Sequence, residues 1–391
     1  MLDLADPDLY TGPDRFRMWR ELIDADTAVW TGPGGSPSGF WSVFGHRDCA
    51  RVLSPRAPFT SEHGMMIGFD ADHSDVSGGR MLVVTDGAAH TALRGLIGPF
   101  LSRIRAPELG SLVDREVEEI ADRMRSAEPI DVATTVGPRL PAAVVCEVIG
   151  VPAEDREHLI ELTNHAFGGE ESTFDRMTPA EAHTEILFYF NDLVDDRSSR
   201  PQADLISAML ADGRLSPEDA VINCDNVLIG GNETTRHAIA GTFHALHTGP
   251  GLLDALREDP GLVDGAVEEV IRWTSPAMHV LRVATEDVTV GGRQVRAGQP
   301  VVAWLAAANR DPRVFPDPGA LRLDRGPARH LGFGTGPHHC LGAVLARLEL
   351  RALLSRLAEQ AGAIDLAGPP GWLRSNLVQG YRSLAVSVQW R

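Results

Sequence analysis

The sequence predicts a mainly α-helical protein with a minor β-sheet region, and three observations support this. Apolar residues recur at intervals of three and four over most of the chain, which is the spacing of one buried helix face. Helix start signals such as Ser216-Pro217-Glu218 precede some of these stretches. Apolar residues that alternate between glycines, as strands do, are confined to short segments.

The predicted helices lie mainly in the middle and at the end of the chain. The longest follows Ser216 and runs to about His247, and the last is Leu341–Gln360. The remaining helices are predicted at Asp14–Ile23, His46–Leu53, Glu108–Ser126, Leu140–Ile149, Ala153–Phe167, Pro179–Val194 and Asp264–Thr274.

Short strands are predicted towards both ends of the chain. Ala28–Trp30 and Phe40–Phe44 flank a turn rich in Gly, Pro and Ser, which predicts a hairpin. No internal repeat or linker divides the chain, so residues 1–391 are predicted to form a single domain. The other predicted strands are Val280–Thr285, Val288–Val290, Val301–Leu305 and a terminal pair within Leu377–Gln389.

Composition excludes several classes of function. The net charge of −18 disfavours binding to nucleic acid and to anionic lipid surfaces. The first residues lack a basic patch followed by an apolar run, and no apolar stretch of about 20 residues is evident, so we expect a cytoplasmic protein with no membrane segment. Four widely spaced cysteines without a C-x-x-C pair argue against a zinc ribbon or a disulfide framework.

The segment Phe333–Gly342, FGTGPHHCLG, carries the strongest chemical signal. Gly334 and Gly336 let the backbone pass close to a flat ligand. Cys340 stands where an amphipathic helix begins, and free N–H groups and the helix dipole favour a thiolate there. Gly342 removes a side chain that would otherwise strike a planar ring.

Two other interpretations of this segment fail. No Lys-Ser/Thr pair follows the glycines, as a phosphate-binding loop requires. His338, His339 and Cys340 are adjacent and cannot all converge on one zinc ion. The segment resembles the haem-binding loop of cytochromes P450, Phe-Gly-x-Gly-x-His/Arg-x-Cys-x-Gly, and matches all six fixed positions. The resemblance implies the cytochrome P450 fold, a haem b cofactor and Cys340 as the axial ligand of the iron, with Phe333 and Gly342 beside the haem.

A second motif, Gly230–Thr235 (GGNETT), lies inside the longest predicted helix. A mid-helix threonine can bond to the carbonyl four residues earlier, here Gly230. The motif resembles the family's oxygen-activation motif, Ala/Gly-Gly-x-Asp/Glu-Thr-Thr. The resemblance implies that Thr234 is the proton-relay hydroxyl, that Glu233 is the neighbouring acid and that Gly231 contacts the cofactor.

Four residues are implied to bind the haem propionates. His90 and Arg94 match the family's His-x-x-x-Arg, and their spacing of four puts them on one helix face. Arg282 and His338 stand where the family has further propionate ligands. All four side chains can donate hydrogen bonds to carboxylates.

A third family motif has a structural role rather than a catalytic one. Glu269 and Arg272 are three residues apart, so they share a helix face and can form a bidentate ion pair. They match the family's Glu-x-x-Arg, and Arg325 is the candidate for the arginine that joins this pair.

Three functions fit these motifs. The first is a monooxygenase that inserts one oxygen atom from O2 into an organic substrate. The second is another haem-thiolate reaction, such as a peroxygenase, an isomerase or an oxidative coupling catalyst, and the third is a non-catalytic haem sensor. Glu233 and Thr234 favour the first, because a proton relay matters mainly when dioxygen is split. The implied partners are a ferredoxin and an NAD(P)H-dependent ferredoxin reductase.

The glycine-rich segment Ser54–Gly79 and the Gly168-Gly169 break are predicted to form a lid over the substrate pocket. Methionines in that segment favour a bulky apolar substrate, of the kind found in secondary metabolism. The candidate pocket residues are Met65, Met66, Phe69, Val227, Leu228, Met278, Val280 and Leu377. The candidate docking surface for an acidic ferredoxin consists of Arg103, Arg105, Arg347 and Arg351.

Overall fold

A computed structural model describes residues 2–70, 77–102, 106–126, 129–167, 177–326 and 329–391. Within these ranges the chain is mostly helical with short strands, which confirms the predicted class. The chain forms two compact units, each made of several separate stretches of sequence. The single domain therefore stays a prediction.

The helices and strands are numbered along the chain. The helices are α1 (Asp14–Asp24), α2 (His46–Val52), α3 (Gly87–Ser102), α4 (Ala106–Ser126), α5 (Arg139–Ile149), α6 (Arg156–Phe167), α7 (Pro179–Ser199), α8 (Leu205–Asp212), α9 (Pro217–Thr248), α10 (Leu252–Glu258), α11 (Val263–Thr274), α12 (Leu305–Ala308) and α13 (Ala343–Gln360). The strands are β1 (Val29–Thr31), β2 (Phe40–Val43), β3 (Phe59–Thr60), β4 (Ile130–Asp131), β5 (Val280–Ala284), β6 (Val288–Val290), β7 (Arg293–Val295), β8 (Pro300–Ala303), β9 (Ala361–Leu366), β10 (Gly371–Trp372), β11 (Tyr381–Ser383) and β12 (Ala385–Trp390).

The first unit comprises Met1–Ala89, Asp264–Cys340 and Trp372–Gly380 and contains a five-stranded sheet in the order β1-β2-β8-β5-β3. The predicted hairpin is confirmed, since β1 and β2 are antiparallel. Strand β8 runs parallel to β2, and β5 is antiparallel to both β8 and β3. One of its apolar clusters is built around Trp19, Phe40, Met278, Leu281 and Trp304.

The second unit comprises His90–Val263, Leu341–Gly371 and Tyr381–Arg391, and its helices pack around α9. Helix α9 begins at a capping box, in which the Asp219 amide donates to the Ser216 hydroxyl at 3.2 Å and the Ser216 amide donates to the Asp219 carboxylate at 3.0 Å. The predicted terminal strand pair is wrong in its partners. Strand β12 pairs with β9 and β4, and β11 pairs with β10, so the two terminal strands do not pair with each other.

Among the described residues, one stretch of the second unit is long and apolar enough to cross a membrane by length and composition, and sequence analysis did not identify it. It is Val132–Ile149, a π-helical turn followed by α5. The protein itself buries 78% of this stretch, as it does for a core helix of a globular protein.

A buried ion-pair network joins α11 to residues 309–325, an irregular segment. This segment precedes the Cys loop, which is the name used here for residues 333–342. The Nε and Nη2 atoms of Arg272, which has no exposed side-chain surface, donate to the Glu269 carboxylate at 2.6 and 2.8 Å. Arg325 Nε donates to the same carboxylate at 2.6 Å. Arg272 also donates to the carbonyls of Asn309 and Pro318, both at 2.9 Å. The charges therefore hold the backbone of this segment against α11.

We predict that Glu269→Ala lowers the free energy of unfolding by about 3–5 kcal/mol, because it leaves the fully buried Arg272 without its carboxylate. Asp24→Ala is the control. It removes the partner of Arg20 in an exposed pair of 2.9 Å, which is worth about 0–1 kcal/mol. Chemical unfolding of both variants at equal cofactor content is the measurement, and equal losses would contradict the structural role of the network.

Candidate functional site

Cys340 ends a tight backbone loop in the first unit. Its amide donates to the Phe333 carbonyl at 2.9 Å and closes the loop. Gly336 has a φ of +75°, and a Cβ atom there would lie 2.1 Å from the Leu53 carbonyl oxygen. No side chain fits at that position, so the loop depends on glycine. The loop leaves Cys340 partly exposed, three residues before α13 begins.

Gly342 is a glycine for a different reason. Its φ of −84° is open to any residue. A Cβ atom built there would meet no atom of the described residues within 4 Å. Gly342 is two residues from Cys340 in the chain, and a glycine there with no described atom close to it is compatible with a flat cofactor that takes a thiolate ligand.

His338 lies in a hydrogen-bonded cluster that sequence analysis missed. Its Nε2 is 2.9 Å from the Asp86 carboxylate and 2.9 Å from the Ser61 hydroxyl. The Thr60 hydroxyl and the Ser61 amide donate to Asp86, each at 2.7 Å. Burial opposes the ionisation of Asp86, but the hydrogen bonds from His338, Ser61 and Thr60 outweigh it and lower the pKa of the carboxyl group. The contact of His338 with a propionate stays a prediction, and its imidazole here binds a protein carboxylate.

Arg282, on β5, is a buried cation. Its side chain donates to the Leu281 carbonyl at 2.8 Å, and within the described ranges no carboxylate lies within 4 Å of the guanidinium. Burial lowers the pKa of Arg282 to about 10, although the negative charge of Asp86 opposes the shift. A buried guanidinium with most of its five N–H donors unused suits an anionic ligand such as a propionate.

Helix α9 faces open space along one stripe of the second unit. Val227, Gly230 and Thr234 are partly or fully exposed, whereas Leu228 and Thr235 beside them are buried. The exposed positions are three and four residues apart and so share one face. The Thr234 hydroxyl donates to the Gly230 carbonyl at 3.3 Å, the bond that its mid-helix position predicts.

Gly231 packs against α5. A Cβ atom at Gly231 would lie 2.6 Å from the Val145 Cγ2 atom, so close helix packing already accounts for the glycine. Its contact with the cofactor stays a prediction. By contrast, a Cβ atom at Gly230 would meet nothing described within 4 Å, so that glycine keeps a space open.

Glu233 is buried on the other side of α9. Its carboxylate accepts from Arg236 at 3.2 Å. Burial raises the pKa of Glu233, and the positive charge of Arg236 opposes the shift without cancelling it. The carboxyl group therefore keeps a proton above the ordinary range for glutamate. Sequence analysis did not single out Arg236, although its spacing of three from Glu233 is a signal for such a pair.

The other predicted cofactor ligands lie on α3. His90 is buried and Arg94 is partly exposed, one turn apart near the start of that helix. Both belong to the second unit, whereas Arg282 and His338 belong to the first. Their binding to propionates stays a prediction.

The candidate pocket residues differ in exposure. Leu228 and Met278 are fully buried and therefore contact protein. Met66 is 52% exposed, and the remaining candidates, Met65, Phe69, Val227, Val280 and Leu377, are partly buried. Residues 71–76 of the predicted lid, the Gly168-Gly169 break, Arg103 and Arg105 lie outside the described residues, whereas Arg347 and Arg351 lie on α13.

Comparisons with known proteins agree with the motifs. A family model described as Cytochrome P450 matches residues 170–360. Cytochrome P450 NovI of Streptomyces niveus is 33% identical over 99% of this chain and 96% of its own length. Mycinamicin IV hydroxylase/epoxidase of Micromonospora griseorubida is 36% identical over 81% of this chain and 80% of its own. The crystal structure of P450 OxyD, which is involved in the biosynthesis of vancomycin-type antibiotics, is 58% identical, covers 100% of both chains and has a TM-score of 0.97. This similarity confirms the predicted fold.

We predict opposite outcomes for alanine at Gly336 and at Gly342. Gly336→Ala should destabilise the protein by about 1–3 kcal/mol or more, because it adds a clash to an unfavourable φ. Gly342→Ala should leave the unfolding midpoint of the cofactor-free protein within about 0.5 kcal/mol but lower the haem content, because its methyl group enters the open space. Full haem content in Gly342→Ala would contradict the assignment of that space.

Proposed function

This chain belongs to the cytochrome P450 family, and we propose that it inserts one oxygen atom from O2 into a secondary-metabolite-type substrate with electrons from a ferredoxin. Its relatives are P450 monooxygenases, and it is an enzyme of that type. The observation that carries the proposal is the complete Cys340 loop together with Glu233 and Thr234. Peroxygenase, isomerase and coupling reactions or a sensor role give no comparable reason for a proton relay on α9.

Haem b is the cofactor that we assign to the chain. When bound, it supplies the activation of dioxygen, and a thiolate ligand favours cleavage of the O–O bond. Cys340 would provide that thiolate. Arg282, His90 and Arg94 would neutralise the propionates, and the strongest support for this is the buried guanidinium of Arg282, which has no carboxylate within 4 Å among the described residues.

Thr234 and Glu233 would handle the protons of the reaction. The Thr234 hydroxyl lies on the exposed stripe of α9 and can both donate and accept a hydrogen bond. Burial raises the pKa of Glu233, so this carboxyl group can carry a proton at a higher pH than an ordinary glutamate. We assign the supply of protons to these two residues together, with Thr234 on the exposed stripe of α9 and Glu233 on its buried side.

The substrate class rests on the relatives. P450 OxyD is involved in making vancomycin-type antibiotics, and a second relative is a mycinamicin hydroxylase/epoxidase. We propose that this chain likewise acts on an intermediate of secondary metabolism, in the cytoplasm. The mainly apolar candidates Met65, Phe69 and Val227 suit a large organic molecule.

We propose that the electrons come from an acidic ferredoxin, itself reduced by an NAD(P)H-dependent ferredoxin reductase. The chain carries a net charge of −18, so most of its surface repels such a partner. Arg347 and Arg351 share one face of α13, the helix that begins three residues after Cys340, and offer a basic surface.

We expect Thr234→Ala to bind haem and substrate yet to divert reducing equivalents into peroxide. The ratio of product formed to NAD(P)H consumed should fall about tenfold or more, in line with the loss of a general acid. Thr248→Ala is the matched control, since Thr248 makes the same bond to a carbonyl four residues earlier in α9, at 3.0 Å, but near the end of the helix. An unchanged ratio in Thr234→Ala would remove Thr234 from the relay.

Charge reversal tests the electron donor. Arg347→Glu and Arg351→Glu should each slow reduction by an acidic ferredoxin about tenfold at low salt, and the wild-type rate should fall as salt rises. Arg17→Glu, at an arginine of α1 that is 74% exposed, should leave the rate within twofold. A rate independent of salt, or equal effects at all three positions, would overturn the docking surface.

A further inference from the structure

His279, the residue before β5, is 1% exposed and hydrogen-bonds in two directions. Its Nε2 accepts from the Ile67 amide at 3.1 Å, and its Nδ1 lies 2.9 Å from the Asn376 carbonyl. An amide only donates and a carbonyl only accepts, so Nδ1 carries the proton and Nε2 does not. Burial lowers the pKa of His279 to about 4 against the opposing effect of the Asn376 carbonyl, which keeps the ring neutral in this tautomer.

The His279 ring joins the segment that contains Ile67 to the segment that contains Asn376. The Asn376 segment is also held by hydrogen bonds that do not involve the ring. The Met278 amide donates to the Leu377 carbonyl at 2.9 Å, and the Gln379 amide donates to the Pro276 carbonyl at 2.7 Å. The ring also packs against Trp304, with centroids 5.2 Å apart. His279 is therefore a fixed acceptor on this side.

The other segment, Gly64–Gly68, is held by few backbone hydrogen bonds. Gly64 and Gly68 have φ values of +103° and +119°, which few other residues adopt, so both ends of the segment need glycine, and the Ile67 side chain between them packs against the apolar cluster around Trp19. Between them, two hydrogen bonds to described residues hold the backbone. The Leu281 amide donates to the Met65 carbonyl at 2.8 Å, and the Ile67 amide donates to His279.

We propose that His279 is a positioning residue that latches the segment Gly64–Gly68, which carries the candidate pocket residues Met65 and Met66, and so controls how a large molecule passes this segment. Breaking the bond to Ile67 removes one of the two backbone hydrogen bonds described above for the segment. The ring itself stays bound to Asn376 and packed on Trp304, so the segment returns to an acceptor that has not moved. The part that concerns substrate access rests on the proposed monooxygenase function, whereas the latch does not.

Two amide substitutions separate the two bonds of the ring. In His279→Asn the amide nitrogen takes the place of Nδ1 and can still donate to Asn376, but nothing replaces the acceptor for Ile67. In His279→Gln the amide oxygen reaches the place of Nε2 and can accept from Ile67, but the donor for Asn376 is lost. Both variants lose the ring, so a merely structural role predicts the same result for both.

Hydrogen exchange of the peptides that cover residues 62–69 measures directly how far the bond to His279 protects the Ile67 amide. We expect about fivefold to tenfold faster exchange of the Ile67 amide in His279→Asn, the effect of losing one hydrogen bond, and exchange within twofold of wild type in His279→Gln. Equal exchange in the two variants, or faster exchange throughout the first unit in His279→Asn, would overturn the proposal. Met66→Ala is the control, because its 52% exposed side chain makes neither bond and should leave the Ile67 amide protected.

Binding of 4-phenylimidazole and imidazole to the ferric haem, followed by absorbance in a stopped-flow instrument, reads access. In His279→Asn the association rate of 4-phenylimidazole should rise about fivefold, and that of the smaller imidazole should change less than twofold. Ile67→Pro removes the Ile67 N–H that donates to His279, and it replaces the His279 variants if either of them fails to fold. Its association rates should equal those expected for His279→Asn. Unchanged 4-phenylimidazole rates would overturn control of access, whereas failure of the wild-type protein to bind haem would contradict the proposed function and leave the exchange result standing.

Discussion

The rest of the candidate site depends on the backbone hydrogen bond that closes the loop at Cys340. The Cys340 amide bonds to the Phe333 carbonyl, and the turn between them passes so close to Leu53 that position 336 has no room for a side chain. The buried network of Glu269, Arg272 and Arg325 holds the backbone at Asn309 and Pro318, earlier in the same unit, against α11.

Three buried or partly buried ionisable groups differ in whether a partner within the protein compensates their charge. Arg282 is a nearly fully buried cation without a carboxylate partner among the described residues, which suits an anionic group of a cofactor. Asp86, by contrast, is an anion that the protein satisfies itself through His338, Ser61 and Thr60. Glu233 is a third case, a buried carboxyl group whose pKa is raised by burial against the opposing charge of Arg236.

The sequence predicted contacts of the candidate site only between residues that are near each other in the chain. The Cys340 loop is contiguous, and Glu269 with Arg272 or Thr234 with Gly230 are spaced by one helical turn. The bond between Asp86 and His338 spans 252 residues and that between Ile67 and His279 spans 212, so no local pattern could predict them. The same reason explains the wrong partners of β12, since the sequence pattern gives a strand but not what it pairs with. Helices α8 and α10 are too short for a clear periodic signal.

We propose above that Cys340 is the thiolate ligand of a haem. The most direct measurement is the absorbance of the reduced protein under carbon monoxide, with serine replacing each cysteine in turn. The account predicts the strongly red-shifted haem band of thiolate ligation in the wild type and its loss in Cys340→Ser alone, because Cys49, Cys146 and Cys224 are buried thiols. Retention of the band in Cys340→Ser, or its loss in Cys49→Ser, Cys146→Ser or Cys224→Ser, would contradict the account.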